Sequence, residues 1–329
     1  MSELSELSDA TNPSELHAVA GAGTVGATLA LLLAGQGRRV RVITRSGSGP
    51  THPLIERVRA DVTDQAAITA ATAGATAVYH CTNPAYSAKE WETQFPLLQC
   101  NFIEAAARHG AVLVALENLY GYGPHDGPLT EDLPLAATGR KGAVRARLAR
   151  ELLEAHRSGK VRATAARASD FIGPLAIESH LGERVVPKVI AGKSVQVIGN
   201  PDMPHTWTYV PDVAMTLAAL STDQRAWGRA WHVPSDATHS AREMVALMAR
   251  CANAKAGRVS GLPVPVLRVL GIAVPLLREL AEEGYQFDKP FVMDSSAAQH
   301  ELGLRPTPTA EVIASTVEWF RAQSASKAA

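Results

Sequence analysis

"LHAVAGAGTVGATLALLLAGQG" (residues 16–37) decides how the rest of the chain is read. A short apolar run ends in glycines, and an alanine- and leucine-rich stretch closed by Gly35 and Gly37 follows at once. That order predicts strand, tight turn and helix. Inside the turn, "GAGTVG" gives its three glycines different tasks. Gly21 permits the turn, Gly23 lets the backbone approach a pyrophosphate, and Gly26 lets the helix pack closely on the strand. The helix start, with Thr24 and Val25 in its first turn, offers free N–H groups and a partial positive charge to phosphates.

Outward from this unit the pattern repeats. Strand-like runs "RRVRVITR" (38–45), "ATAVYHCT" (75–82), "AVLVAL" (111–116) and "VRATAARAS" (161–169) alternate with helix-like runs. The helices are "AITAATAG" (67–74), "WETQFPLLQCNFIEAAARHG" (91–110) and "GAVRARLARELLEAHRSG" (142–159). Such alternation predicts right-handed βαβ units and a parallel sheet covered on both faces. The expected fold class is α/β, a Rossmann-type doubly wound sheet of about seven parallel strands. Past about Gly173 prolines become frequent and segments shorter. We therefore expect a dinucleotide-binding domain over 15–175 and a smaller substrate-binding region over 176–329, parts of which return to the sheet. Residues 1–14 are polar, carry no basic run and read as a disordered tail.

The nucleotide end can be read further. The second strand finishes in "VITRSGSG" (42–49), where an acidic residue would bond both ribose hydroxyls of NAD. Thr44, Arg45 and Ser46 instead offer a cation and two hydroxyls, which suits a 2′-phosphate. NADP is the expected cofactor, with NAD as second choice. Asp61 and Val62 follow the third strand, where a carboxylate can accept from the adenine amino group. Cys81, Thr82 and Asn83 close the fourth strand beside the expected path of the nicotinamide ribose.

Bulk composition narrows the partners. The 32 basic and 32 acidic residues balance, so net charge gives no reason to expect nucleic acid or an anionic membrane. Three widely spaced cysteines suggest neither a disulfide framework nor a metal site. The most apolar stretch, 262–280, is broken by prolines and Arg268 and falls short of the ~20 apolar residues that cross a bilayer. It is read as buried or loosely amphipathic, and the chain as cytoplasmic with a small-molecule substrate.

These motifs resemble the short-chain dehydrogenase/reductase superfamily, on its extended and atypical side with the NAD-dependent epimerases and dehydratases. The likeness runs from Leu16 to about Phe320. Besides "GAGTVG" it rests on "ADVTD" (60–64), "CNFIEAAARHG" (100–110) with Asn101 facing the site, "LENLYGYGP" (116–124), "RASDFIGP" (167–174) and "HTWTYVPDVAMTLAAL" (205–220). Ala20 departs from it, standing where extended members usually carry a glycine. The resemblance implies an oxidoreductase, and a homodimer paired through the helices around 91–110 and 142–156.

The catalytic residues depart from the family pattern more sharply. The resemblance implies a serine or threonine near the fifth strand and a tyrosine followed four residues later by a lysine. The serine position falls at or next to Leu116, with Glu117 and Asn118 the nearby polar groups. The tyrosine and lysine positions hold Lys141 and Arg145; a competing register gives Ala143 and Arg147. At ~100° per residue, Lys141, Arg145, Leu148 and Leu152 share one apolar stripe, which favours the first register. Some relatives of isoflavone reductase similarly place a catalytic lysine near this point. Free lysine and tyrosine, at about 10.4 and 10, are both weak acids at pH 7. Burial, like charges at Arg140 and Arg145, and a first-turn position would favour a neutral amine able to give or take a proton. Arg145 would hold the cofactor ribose or an anionic substrate group. The other reading of Lys141 is structural, a long side chain reaching water.

Tyr122 is the nearby phenol that could substitute as acid, although packing in its loop is the plainer role. Tyr120, Asp170, Phe171, His205 and Trp207 are expected around the substrate. The favoured function is an NADP-dependent reductase or dehydrogenase of a small carbonyl or hydroxyl compound. The alternatives are a nicotinamide-dependent epimerase or dehydratase, and a non-catalytic NADP-binding sensor.

Overall fold

A computed structural model describes residues 15–328; the tail expected over residues 1–14 lies outside them. The strands are β1 (Leu16–Ala20), β2 (Arg39–Thr44), β3 (Ile55–Arg59), β4 (Ala75–His80), β5 (Val112–Asn118), β6 (Arg162–Ala168), β7 (Asp170–Ile172), β8 (Val195–Ile198), β9 (Pro204–His205), β10 (Trp207–Tyr209), β11 (Ala230–His232), β12 (His239–Ser240) and β13 (Val259–Leu262). The α-helices are α1 (Thr24–Gly35), α2 (Gln65–Ala71), α3 (Ala88–His109), α4 (Arg140–Arg157), α5 (Val186–Ile190), α6 (Val210–Thr222), α7 (Ala241–Cys251), α8 (Val264–Leu270), α9 (Pro275–Glu282), α10 (Tyr285–Asp288), α11 (Ser296–Glu301) and α12 (Thr309–Ala328).

Seven strands form one parallel sheet in the order β11-β6-β5-β4-β1-β2-β3. The order reverses between β1 and β4, which is where an open α/β sheet leaves a crevice at its carboxyl edge. The central strands bury nearly every side chain: β1 is covered throughout, and β4 exposes only Thr76. Two cores result. One packs α3 and α4 on the sheet through Trp91, Phe95, Phe102 and Leu148. The other packs α1 and α6 on the opposite face through Leu29, Leu33, Val213 and Leu217. A third cluster, with Val186, Val197, Met248 and Ile313, forms beyond the sheet.

The chain crosses between these regions more than once. After β6 it leaves the sheet, returns as α6 and β11, and leaves again. Of the two expectations for residues 262–280, buried or loosely amphipathic, the second describes them. They form the hairpin of α8 and α9, seated through Val264, Leu267 and Ala281, while Val269 and Ile272 are 67% and 85% exposed. Two short helices present more apolar faces than one seat on the domain can cover.

Candidate active site

The carboxyl ends of β1, β4, β5 and β6 open into one cleft of about 370 Å³. Gly23, Thr24 and Val25 line it from β1; Cys81, Thr82 and Asn83 from β4; Leu116 to Tyr120 from β5; and Ala168 to Phe171 from β6 and β7. Tyr86, Trp91 and Arg145 come from α3, α4 and the loop before α3, while Glu178, Ser179, Gln286 and Phe291 come from beyond the sheet.

The glycine turn is packed on one side and open on the other. A Cβ on Gly26 would meet Gly21 O at 2.0 Å, and one on Gly21, at φ +93°, would meet Cys81 O at 2.7 Å. A Cβ on Gly23 would meet nothing within 4 Å. The helix is therefore pressed onto the strand, and Gly23 faces free space beside the first turn of α1. That turn carries neither a capping side chain nor an acidic residue, so its amides suit an anion. Thr24 Oγ1 donates to Leu175 O at 2.8 Å, tying the turn to the loop after β7.

At the far end of β2, Arg45 and Ser46 are exposed and Thr44 Oγ1 donates to Ser48 O. Asp61 accepts from Thr63 N and Oγ1, which with the charge of Arg45 hold its carboxyl below the usual range. Val62 is buried beside it. Asn101 faces this end and not the cleft: its Nδ2 donates to Val62 O and Thr63 O, fixing the loop that carries Asp61.

The helical arithmetic of α4 holds in space. Lys141, Val144, Leu148 and Leu152 are buried, while Ala143 and Arg147 are exposed. Lys141 and Arg145 then separate. Lys141 Nζ donates to Glu279 O at 2.6 Å and lies 3.2 and 3.3 Å from Glu279 Oε2 and Glu282 Oε2. It is fully enclosed and outside the cleft lining. Arg145 lines the cleft, with its guanidinium 4.2 Å from the Phe95 ring centre and 5.1 Å from that of Trp91. Its Nε is buried without a partner, and burial lowers the group to about 10 against the opposing pull of Glu117 and Tyr120.

Around that guanidinium the cleft is aromatic. Tyr120 stacks on Trp91, and its hydroxyl lies 3.3 Å from that of Tyr86. Burial pushes the Tyr120 phenol well up, and the charges of Tyr86, Asp170 and Glu283 add to the effect. Asn118 Oδ1 accepts from Tyr120 N, fixing the turn after β5.

The other polar groups are already engaged. Glu117 accepts from Arg167 Nε at 2.8 Å. Tyr122 is bonded to Arg167 and to His232 Nε2, behind the cleft wall. His205 Nε2 lies 2.9 Å from Asp170 Oδ2, and its Nδ1 contacts Gln286 O. Burial works against the Asp170 carboxylate, but His205 and His180 outweigh it and hold it below its usual range. Asp170 and Phe171 line the cleft; His205 and Trp207 stand one layer behind. Among the described residues no cluster could hold a metal ion.

Sequence reasoning missed Tyr86, Trp91, Glu178, Gln286 and Phe291 in the lining. Tyr86 carries a readable signal, since it sits a few residues past a strand's carboxyl end. The others come from chain crossings that spacing does not announce.

Residues 18–233 match the NAD dependent epimerase/dehydratase family. A dTDP-glucose 4,6-dehydratase of Streptomyces griseus is 29% identical over 222 residues, 66% of this chain and 61% of the relative. The namesake from Xanthomonas campestris pv. campestris is 24% identical over 213 residues, 63% and 56%. The matched part spans less than two thirds of either relative. Among solved structures, epimerase Mth375 from Methanothermobacter thermautotrophicus superposes with TM-score 0.78 at 18% identity, covering 95% of this chain and 94% of the other. DesIV, the dTDP-glucose 4,6-dehydratase of Streptomyces venezuelae solved with NAD bound, gives 0.74 at 20%, covering 94% and 98%.

Proposed function

The chain belongs to the NAD dependent epimerase/dehydratase family, and from that premise we propose an NADP-dependent reductase of a small carbonyl compound. Residues 15–175 bind the dinucleotide and 176–329 complete the substrate side. The observation that carries this reading is the meeting of the Tyr120 phenol and the Arg145 guanidinium on one cleft wall.

Gly23 and the uncapped start of α1 fit a pyrophosphate, and the exposed Arg45 and Ser46, with no carboxylate at the end of β2, fit a 2′-phosphate. A bound nicotinamide dinucleotide supplies the hydride. Arg145, whose side chain lines the cleft, stabilises negative charge growing on the substrate oxygen. Tyr120 then gives its hydroxyl proton to that oxygen, with Tyr86 as its hydrogen-bond neighbour. A phenol raised by burial stays protonated at neutral pH, which fits reduction better than removal of a proton from an alcohol. Asp170, positioned by His205, orients a substrate donor group.

A second reading, internal oxidation and reduction of a sugar nucleotide, is favoured by the names of the curated relatives. Against it, Arg145 is the only Lys or Arg among the described residues lining the cleft, whereas Glu117, Asp170 and Glu178 are there too. A nucleotide diphosphate calls for more cations than that.

The test is NADPH consumption by the purified chain across a panel of small aldehydes and ketones, with Tyr120→Phe and Tyr86→Phe beside the parent. Tyr120→Phe should lower kcat about 10²–10⁴-fold with NADPH affinity unchanged. Full turnover in Tyr120→Phe would remove it from the chemistry. Conversion of dTDP-glucose without net NADPH consumption would establish the second reading instead.

A further inference from the structure

The hairpin of α8 and α9 has no role in the site, yet it holds six of the ten exposed large apolar side chains among the described residues. They are Val266, Val269, Leu270, Ile272, Val274 and Leu276. Gly271 closes the hairpin: a Cβ there would lie 2.8 Å from Arg278 Cα. The knuckle thus has a buried base and an apolar tip, with Ile272 85% exposed. The charges of its tip are of one sign, since the carboxylates of α9, Glu279 and Glu282, lie at its base. Between Arg258 and Glu279 the only charged residues are Arg268 and Arg278, both exposed.

We propose that this knuckle docks the protein on an anionic phospholipid surface, Ile272 and its neighbours entering the headgroup boundary while Arg268 and Arg278 meet lipid phosphates. Apolar side chains flanked by cations are what an interfacial segment requires. The chain's balanced net charge conceals this, because the acids lie elsewhere. A second copy is a poorer occupant. A twofold contact through this face would bring four arginines together, with no carboxylate between Arg258 and Glu279 of either copy to pair them. Among the described residues no helix is long and apolar enough to cross a membrane, so the attachment is peripheral. The hairpin runs on into Gln286 and Phe291, which line the cleft, and the docked face therefore adjoins the substrate side.

The experiment is co-sedimentation of the full chain with vesicles of phosphatidylcholine alone or mixed with phosphatidylglycerol. Binding is expected to the anionic vesicles and to weaken with salt. The pair Val269→Glu and Ile272→Glu should abolish it, and Arg268→Gln or Arg278→Gln should each weaken it about five-fold. These positions are exposed, so the variants should melt like the parent. A chain that stays in solution with every vesicle, or binding that survives the glutamate pair, overturns the proposal. So does light scattering that shows a dimer dissolved by Ile272→Glu, which would assign the face to a second copy.

Discussion

Lys141 Nζ lies 3.2 Å from Glu279 Oε2, and that same oxygen accepts the first amide of α3, Ala88 N, at 2.9 Å. One turn further along α9, Glu282 Oε1 accepts the amide of Lys141 itself at 2.9 Å. The two carboxylates of α9 therefore close the N-termini of α3 and α4, where helix dipoles favour negative charge, and one buried lysine joins them. The residue that resemblance sets at a tyrosine's place is held as a tie between three helix ends.

This geometry makes Lys141→Met a stability variant. Removing the cation leaves Glu279 and Glu282 facing each other, which should destabilise by about 3–5 kcal/mol. Adding Glu279→Gln should recover part of the loss. Denaturant midpoints test this, with kcat per folded molecule measured at low temperature. Unchanged stability with lost turnover would return the lysine to catalysis.

Arg145 answers to a different test. Its guanidinium carbon lies 4.2 Å from the Phe95 ring centre and 5.1 Å from that of Trp91, a contact that an ammonium does not reproduce. Arg145→Lys should keep the charge and still lower kcat at least ten-fold, because donor direction is lost. If the charge alone matters, Arg145→Lys will match the parent and Arg145→Met will not.

Cofactor choice rests on the end of β2. Replacing Arg45 by Asp puts a carboxylate where ribose hydroxyls would bind and a 2′-phosphate would be repelled. NADPH affinity should fall at least ten-fold, about 1.4 kcal/mol, and NADH affinity should hold or rise, as read by fluorescence titration. A loss shared equally by both cofactors would place Arg45 outside the discriminating contact.

How far the sequence reached follows from what is local. The sheet was legible because β1, β2, β4, β5 and β6 are short strand-like runs separated by helix-length ones, each read within a short window, and "GAGTVG" marks the first strand–turn–helix. The inward face of α4 was legible for the same reason. What Lys141 touches was not, because Glu279 and Glu282 lie 138 and 141 residues away and no motif announces a carboxylate that caps a distant helix. Tyr122 looked available as an acid until the fold set Arg167 and His232 against it. For the segment 262–280 the sequence left burial and a loose amphipathic character both open, and the fold decides for the second, because two short helices cannot hide every face.

The acidic cluster under Lys141 also gives the protein a pH signature. Burial, against the pull of Lys141 and with Glu282 adding, raises the Glu283 carboxyl to about 7. In the unfolded chain it titrates near 4.5. Between those values the folded protein binds more protons than the unfolded one, so stability falls as pH rises from about 4.5 through 7. Glu283→Gln, which mimics the protonated group, should therefore change little near pH 4.5. At pH 8 it should stabilise, on the order of 2–3 kcal/mol. Thermal melts of parent and variant across pH 5 to 8 would show the two curves parting as pH rises. Curves that stay parallel would mean that Glu283 is already ionised at pH 5 and that the three carboxylates share the charge of Lys141 differently.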